Sequence, residues 1–240
     1  MSNNLTEKAP LLVFGAHPDD IEFGCGGVVA TEARGGRPVH MIVCSRGEAG
    51  SAGTPSIREA ESLAAAALLG ADLEFVELDG DARLRTSVSN ALYLAGAMRR
   101  IRPGVVLAPS LSENQHPDHA QLGRLVRDAA RLARFGGLPE LTALPPHSIK
   151  SLFYYALSLE AEPRDLSPVL YDVSDSLAAW VAAMEAHASQ VGAKPYVEMQ
   201  LTRARLRGLS AGIGHAIALF PADPVVVDRL EPIATGARCF

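Results

Sequence analysis

Short apolar runs and helix-like segments alternate along the first two thirds of this chain. Each apolar run is long enough for one buried strand, and each intervening segment carries apolar residues at helical spacing. This alternation predicts a parallel sheet with right-handed crossovers. The predicted strands are Leu11–Phe14, Val39–Cys44, Leu73–Leu78, Val105–Ala108 and Ser151–Ala156, and the predicted helices are Ile21–Arg34, Ile57–Leu69, Asn90–Arg102 and Asp118–Leu132.

The fold class expected from this pattern is α/β, a Rossmann-like doubly wound and mainly parallel sheet with strand order about 3-2-1-4-5. C-terminal helices and an edge strand complete it. A chain of 240 residues that is 48% hydrophobic can bury one large core, so we expect a single domain over 1–240. The C-terminal elements predicted are an edge strand at Val169–Val173, helices at Ser176–Gln190 and about Glu198–Gly208, and a terminal strand at Val225–Val227.

Charge and composition narrow the classes of partner and compartment. The net charge of −5 and the pI of about 5.8 predict no general attraction to nucleic acid or to an anionic membrane. The N-terminus has no apolar signal region and no apolar run is long enough to span a bilayer, so a cytoplasmic enzyme is expected. Cys25, Cys44 and Cys239 are too few and too widely spaced for a disulfide framework or a thiolate zinc site. The first two are expected to be buried.

Two His-Pro-Asp tripeptides each follow a predicted strand, in the tetrapeptides His17–Asp20 and His116–His119. The first and fourth strands are neighbours at the switch point of a 3-2-1-4-5 sheet, so their loops flank one crevice. Three imidazoles and three carboxyl groups meet there. Any two histidines with one carboxylate suit a catalytic zinc ion that keeps positions open for water and substrate. The same ligands suit Fe²⁺, Mn²⁺ or Co²⁺.

Other interpretations of these residues are open. Either tripeptide alone could be a helix cap or an ordinary turn, but the pair favours a site. A nucleotide-binding Rossmann protein is disfavoured because no Gly-x-Gly-x-x-Gly follows the first strand and carboxylates there would repel phosphate. A non-catalytic metal-binding protein is the other alternative; it would need only the ligands of the cation and not the remaining acids and imidazoles of the two tetrapeptides.

At these residues the chain resembles the LmbE-like, PIG-L-like family of zinc-dependent N-deacetylases. The matching motifs are Ala16–Asp20 with the glycines after it, Arg46–Gly50, Thr54–Glu59 and His116–His119, in the family's order. The resemblance implies a zinc site formed by His17, Asp20 and His119. It also implies that Asp19 is the general base, that His116 stabilises the oxyanion or supplies a proton, and that Asp118 holds His116.

The same resemblance implies that Glu48, Arg58 and Asp79 contact an N-acetylglucosamine unit, or in the case of Arg58 an attached acid. Arg58 could instead be an ordinary solvated helix residue. Within the family the chain is most similar to the bacillithiol-biosynthesis deacetylases, which act on N-acetylglucosaminyl malate. Chitobiose or an antibiotic glycoside is the alternative substrate. The resemblance also implies a homo-oligomer, which could be a hexamer built through the C-terminal helices. His187 is expected to be a core or interface histidine.

Overall fold

A computed structural model describes residues 8–113, 116–192 and 194–227. Its sheet has seven strands in the order β3-β2-β1-β4-β5-β7-β6. The first five in that order are parallel, whereas β7 runs antiparallel to both β5 and β6. The predicted α/β class and the order 3-2-1-4-5 are therefore confirmed. The strands are β1 Leu11–Gly15, β2 Val39–Val43, β3 Asp72–Phe75, β4 Val105–Pro109, β5 Ser151–Tyr155, β6 Val169–Asp172 and β7 Ala216–Pro221.

Helices cover both faces of the sheet and create two hydrophobic cores. Along β1, Leu12 and Phe14 point into one core, and Leu11 and Val13 point into the other, as alternation along a strand requires. Residues of α3 and α4 fill the first core, and residues of α1, α2, α5 and α7 fill the second. The helices are α1 Asp20–Arg34, α2 Pro55–Leu69, α3 Val88–Ile101, α4 Pro117–Leu132, α5 Leu177–Glu185, α6 Ala188–Val191 and α7 Tyr196–Ala211, with 3₁₀ turns at Pro139–Leu141 and Ser174–Ser176.

Small residues bring the start of α1 close to the sheet. A Cβ atom on Gly24 would lie 2.3 Å from the ring of Tyr155, and one on Gly26 would lie 2.8 Å from the ring of Trp180. The Tyr155 hydroxyl donates to the carbonyl of Phe14 on β1 (2.7 Å). The glycines that follow Asp20 therefore let α1 pack closely against Tyr155 of β5 and Trp180 of α5.

The C-terminal third differs from the sequence prediction in two places. The predicted helix Ser176–Gln190 is split into α5 and α6, because His187 has φ −81° and ψ 56°, outside the helical region. The predicted terminal strand Val225–Val227 is wrong: these residues form no strand and are exposed, and the last strand within the described residues is β7. Four of the six residues in Ala216–Pro221 are buried, as expected for a strand inside the sheet, whereas the three valines are exposed.

The other predicted elements are found with ends that differ by at most three residues, including the edge strand, found as β6. Cys25 and Cys44 are buried free thiols, and Cys239 lies outside the described residues. Among the helices of the described residues, none combines the length and the apolar character needed to cross a bilayer.

Candidate functional site

The site lies at the carboxyl ends of β1 and β4. These strands pair in parallel, with Leu11 opposite Val105. The chain leaves β1 through the segment His17–Asp20 into α1, and it re-enters from the loop after β4 at His116, the N-cap of α4. The two His-Pro-Asp tripeptides therefore meet at the switch point, as the sequence predicts.

Asp20 is the centre of the local hydrogen-bond network. Its Oδ2 accepts from the backbone N–H groups of Ala16 and His17 (2.8 and 3.0 Å), and its Oδ1 lies 3.0 Å from Nε2 of His119. Burial raises the pKa of this carboxyl group, but the charges of His119 and His17 outweigh burial and hold the pKa well below its usual range. Asp20 is therefore an anion that orients both imidazoles.

Three imidazoles cluster beside Asp20. The ring centroids of His17 and His116 are 4.2 Å apart, and that of His119 is 5.3 Å from His17 and 5.4 Å from His116. Each of the three rings offers a nitrogen within 4.8 Å of those of the other two. Burial lowers the pKa of His17, but the carboxylates around it raise the pKa well above its usual value.

These donors fit a divalent cation. Imidazole nitrogens and carboxylate oxygens without a thiolate are ligands for Zn²⁺, Fe²⁺, Mn²⁺ or Co²⁺. Of the predicted set, His17 Nδ1 lies 3.5 Å and His119 Nε2 lies 3.0 Å from the carboxylate of Asp20. A second convergent group, which shares His17, contains Asp81, His116 and Asp118. The assignment of His17, Asp20 and His119 as the ligands stays a prediction.

Asp81 is a site residue that the sequence analysis did not single out. Its Oδ1 lies 3.2 Å from Nε2 of His17 and 3.7 Å from Nε2 of His116. Asp79 accepts from the backbone N–H of Arg85 (2.9 Å) and from Nδ2 of Asn90 (2.6 Å), and its predicted contact with substrate stays a prediction. Both acids follow β3, in the sequence Asp-Gly-Asp. This sequence indicates acids near the site, but it does not show which of the two faces His17.

Asp118 contacts two different parts of the site. Its carboxylate Oδ2 lies 3.2 Å from Nε2 of His17 and accepts from the backbone N–H of Ala82 (2.8 Å). Its own backbone N–H donates to Nδ1 of His116 (3.3 Å). Asp118 thus holds His116 through its main chain, whereas its side chain is directed at His17.

The surroundings of His116 favour its neutral form by lowering its pKa. Burial lowers the pKa of His116, and the positive charges of His17 and His119 lower it further, which outweighs the opposite effect of Asp118 and Asp20. Because Nδ1 of His116 accepts the N–H of Asp118, the neutral ring carries its proton on Nε2. Nε2 is the nitrogen closer to Asp81, inside the site.

Asp19 stands beside the cluster in a rare backbone conformation. Its φ is 101° and its ψ is −25°, and its side chain makes no cap for α1. Burial and the adjacent Asp20 raise the pKa of Asp19 to about 7, although Arg58, His187 and His17 act in the opposite direction. A carboxyl group with a pKa near neutrality can both accept and return a proton at physiological pH.

Arg58 and Glu48, both predicted to contact substrate, bond to the protein's own loops. The Arg58 guanidinium donates to the carbonyls of Gly47 and Pro18. The Glu48 carboxylate accepts from the backbone N–H groups of Asp81 (2.8 Å) and Arg46 (3.0 Å), which lower its pKa against the opposite effect of burial. The substrate roles of these residues stay predictions.

A cavity of about 380 Å³ opens above the histidine cluster, a volume within the usual range for small-molecule sites. One wall comes from the region around α6 and α7. No functional residue was predicted there from the sequence, because no motif marks this region. The lining includes His17, Asp19, Asp20, Arg58, Asp81, His116 and His119, and the added wall consists of Gln190, Tyr196, Met199 and Gln200.

Comparison with known proteins gives relatives of two activities. A 1D-myo-inositol 2-acetamido-2-deoxy-alpha-D-glucopyranoside deacetylase from a Mycobacterium species is 30% identical over 80% of this chain and 77% of its own length. A diacetylchitobiose deacetylase from Thermococcus kodakarensis is 30% identical over 72% of this chain and 67% of its own length. A 4-oxalmesaconate hydratase from Pseudomonas putida is 30% identical over 60% of this chain, which spans 64% of the hydratase.

The fold is also found in solved structures. The crystal structure of a conserved protein from Thermus thermophilus superposes with a TM-score of 0.83 at 33% identity, covering 95% of this chain and 100% of that one. The model of the PIG-L family, described as GlcNAc-PI de-N-acetylase, matches residues 12–130, which include most of β1, all of β4 and both His-Pro-Asp tripeptides. Together with the deacetylase relatives that it resembles along most of their length, this match shows that the chain belongs to the PIG-L family.

Proposed function

We propose that this protein is a metal-dependent deacetylase that hydrolyses the N-acetyl group of an N-acetylglucosamine conjugate to acetate and a free amine. The observation that carries the proposal is the convergence of three imidazoles with Asp19 and Asp20 at the floor of one cavity. The family match and the deacetylase relatives support it. His17, Asp20 and His119 are the proposed ligands, and Zn²⁺ is the proposed metal, with Fe²⁺, Mn²⁺ and Co²⁺ as alternatives.

A bound divalent cation would supply Lewis acidity, which acidifies water and polarises the amide carbonyl. Asp19 removes the proton from the attacking water as the new C–O bond forms. The Nε2–H of His116 donates to the carbonyl oxygen as it becomes negative. When the C–N bond breaks, the proton held by Asp19 passes to the amine nitrogen. His116 is a second candidate for that proton transfer.

The nature of the conjugate is part of the proposal. The sequence favours N-acetylglucosaminyl malate, and a neutral conjugate such as an N-acetylglucosaminyl inositol, chitobiose or an antibiotic glycoside is the alternative. Among the described residues that line the cavity, Arg58 provides the one guanidinium, and it already bonds to protein oxygens. This arrangement supports a neutral conjugate over an acidic one.

Water addition to a carbon–carbon double bond is the second candidate, because a 4-oxalmesaconate hydratase is among the relatives. The two deacetylase relatives match 80% and 72% of this chain, whereas the hydratase matches 60% of it. The comparisons therefore support deacetylation more strongly than hydration.

The test is acetate release by the purified protein from four substrates: N-acetylglucosaminyl malate, N-acetylglucosaminyl inositol, diacetylchitobiose and free N-acetylglucosamine. Each reaction is run as purified, after treatment with a chelator, and after addition of Zn²⁺. Turnover that the chelator removes and Zn²⁺ restores is expected with at least one substrate. No acetate release from any of the four, together with hydration of 4-oxalmesaconate, would replace the proposal with the hydratase function.

Two further expectations belong to this proposal. We propose that residues 1–240 act as one domain, which is supported by the contribution of α7 to both the second core and the cavity wall. We also propose a homo-oligomer, up to a hexamer, which sedimentation analysis of the full chain would test.

A further inference from the structure

The turn that carries Asp19 is strained. A φ of 101° places a residue with a Cβ in a region that L-amino acids rarely adopt, and such a conformation persists only where neighbouring groups hold it. The turn also contains two backbone hydrogen bonds: the Asp20 N–H donates to the carbonyl of His17 (3.3 Å), and the Phe23 N–H donates to the carbonyl of Asp19 (3.0 Å). Neither bond restrains the carboxylate of Asp19 itself.

Arg58 contacts both the backbone and the side chain of this turn. From α2, its Nη2 donates to the carbonyl of Pro18 (2.8 Å) and lies 3.4 Å from Oδ2 of Asp19, while its Nη1 donates to the carbonyl of Gly47 (3.1 Å). The side chain of Arg58 is 6% exposed. One guanidinium therefore links the Asp19 turn, the loop after β2 and a rigid helix.

The loop after β2 is shaped around this guanidinium. A Cβ atom on Gly47 would lie 2.0 Å from Nη1 of Arg58, and one on Gly50 would lie 2.7 Å from the same atom. Because Nε of Arg58 is buried, it cannot reach a ligand in the cavity. It also has no hydrogen-bond partner among the described residues. Both terminal nitrogens of the guanidinium are already engaged by protein oxygens.

We propose that Arg58 is a positioning residue that holds the strained turn and the carboxylate of Asp19 in place, rather than a receptor for an acid group of the substrate. The inference rests on the proposed function, because Asp19 is the base of the proposed reaction. The two glycines, Gly47 and Gly50, let the loop after β2 pack directly on the guanidinium, which keeps Arg58 directed at Asp19.

The first test separates kcat from KM. In Arg58→Gln, kcat is expected to fall about 10- to 100-fold with KM changed by less than about threefold, equally for acidic and neutral conjugates, because a displaced base lowers only the chemical step. Arg58→Lys should recover part of kcat. A KM that rises more than about tenfold with kcat kept would overturn the proposal. A rise for N-acetylglucosaminyl malate alone would indicate an acid receptor, and a rise for every substrate would indicate a contact with the sugar.

The second test is a double-mutant cycle with Asp19→Asn. If Arg58 acts through Asp19, adding Arg58→Gln to Asp19→Asn should change the residual rate by less than about twofold. Gly50→Ala is expected to lower kcat as Arg58→Gln does, without removing the charge, and the two changes should not add. Full additivity in both pairs would contradict the positioning role.

The matched control is Arg46→Gln, which removes a nearby guanidinium from the loop after β2. Arg46 pairs with Glu59 (2.9 Å) and with Glu77, and its substitution should leave kcat within about twofold of wild type. Thermal unfolding and metal content are measured for every variant, so that a loss of folding is recognised as such.

A readout independent of turnover keeps this inference apart from the proposed function. Amide hydrogen exchange at Asp20 and Phe23 reports on the turn, and it should be faster in Arg58→Gln but unchanged in Arg46→Gln. If the wild-type protein releases no acetate from any N-acetyl sugar, the proposed function fails and this exchange experiment still decides the structural role. Unchanged exchange in Arg58→Gln would overturn the inference even where turnover is found.

Discussion

Nε2 of His187 lies 3.4 Å from Oε1 of Glu22, and the two side chains are 0% and 1% exposed. Both oxygens of Glu22 and both ring nitrogens of His187 are buried without a hydrogen bond among the described residues. The pair joins the first turn of α1, directly after the proposed metal ligand Asp20, to the break between α5 and α6. It is a structural link between the C-terminal segment and the site.

Glu22→Gln is expected to lower the free energy of unfolding by about 3 kcal/mol, because removing one member of a buried ion pair leaves the other uncompensated. Urea denaturation followed by circular dichroism measures the change. The control is Asp175→Asn, which breaks an exposed pair with Arg34 and should have a much smaller effect. Equal losses of unfolding free energy in the two variants would show that the buried pair stabilises the protein no more than the exposed pair does.

The contribution of His187 to stability should depend on pH. Burial lowers its pKa, but Glu22 on α1, together with Asp19 and with Glu61 on α2, raises the pKa above the usual value. A group whose pKa is higher in the folded state stabilises fully below its unfolded pKa, about 6.5, and loses that stabilisation as the pH rises through the folded pKa. The difference in unfolding free energy between wild type and His187→Gln should therefore be larger at pH 6 than at pH 9. A difference that is the same at both would contradict this assignment.

Asp19→Asn and His17→Ala should separate the base from the metal site. We expect kcat of Asp19→Asn to fall by about 10² to 10⁴, because the group that accepts the proton is lost. The variant should keep its metal, because the proposed ligands are unchanged. His17→Ala should lose both metal and activity. Elemental analysis of each purified variant is compared with its rate of acetate release, and an Asp19→Asn variant that stays active would remove Asp19 from the mechanism.

Asp81 and Asp79 offer a test of which acid belongs to the site. Asp81→Ala removes the carboxylate beside His17 and should weaken metal affinity about 10- to 100-fold. Asp79→Ala removes hydrogen bonds to Arg85 and Asn90, so it should cost about 1 to 3 kcal/mol of stability, with the smaller effect on metal affinity. Metal titration and urea denaturation of both variants measure these effects. A larger loss of metal affinity in Asp79→Ala than in Asp81→Ala would contradict the placement of Asp81 beside the metal site.

The sequence by itself determined the sheet and the meeting of the two tripeptides. Burial of a strand and of a helix face leaves a periodic pattern, and the alternation of the two patterns admits few topologies. Once β1 and β4 are neighbours, the loops that follow them start side by side at the same edge of the sheet. The segments His17–Asp20 and His116–His119 could therefore be placed without coordinates.

Tertiary structure alone decided the direction of side chains in irregular loops and the path of the C-terminal third. Asp79 and Asp81 are two residues apart, and which of them faces His17 depends on the backbone N–H groups that each carboxylate finds nearby. The contact of Arg58 with Asp19 joins residues 39 positions apart through a loop without periodicity. The insertion of β7 between β5 and β6, and the break at His187 where it pairs with Glu22, likewise depend on long-range packing that no local pattern records.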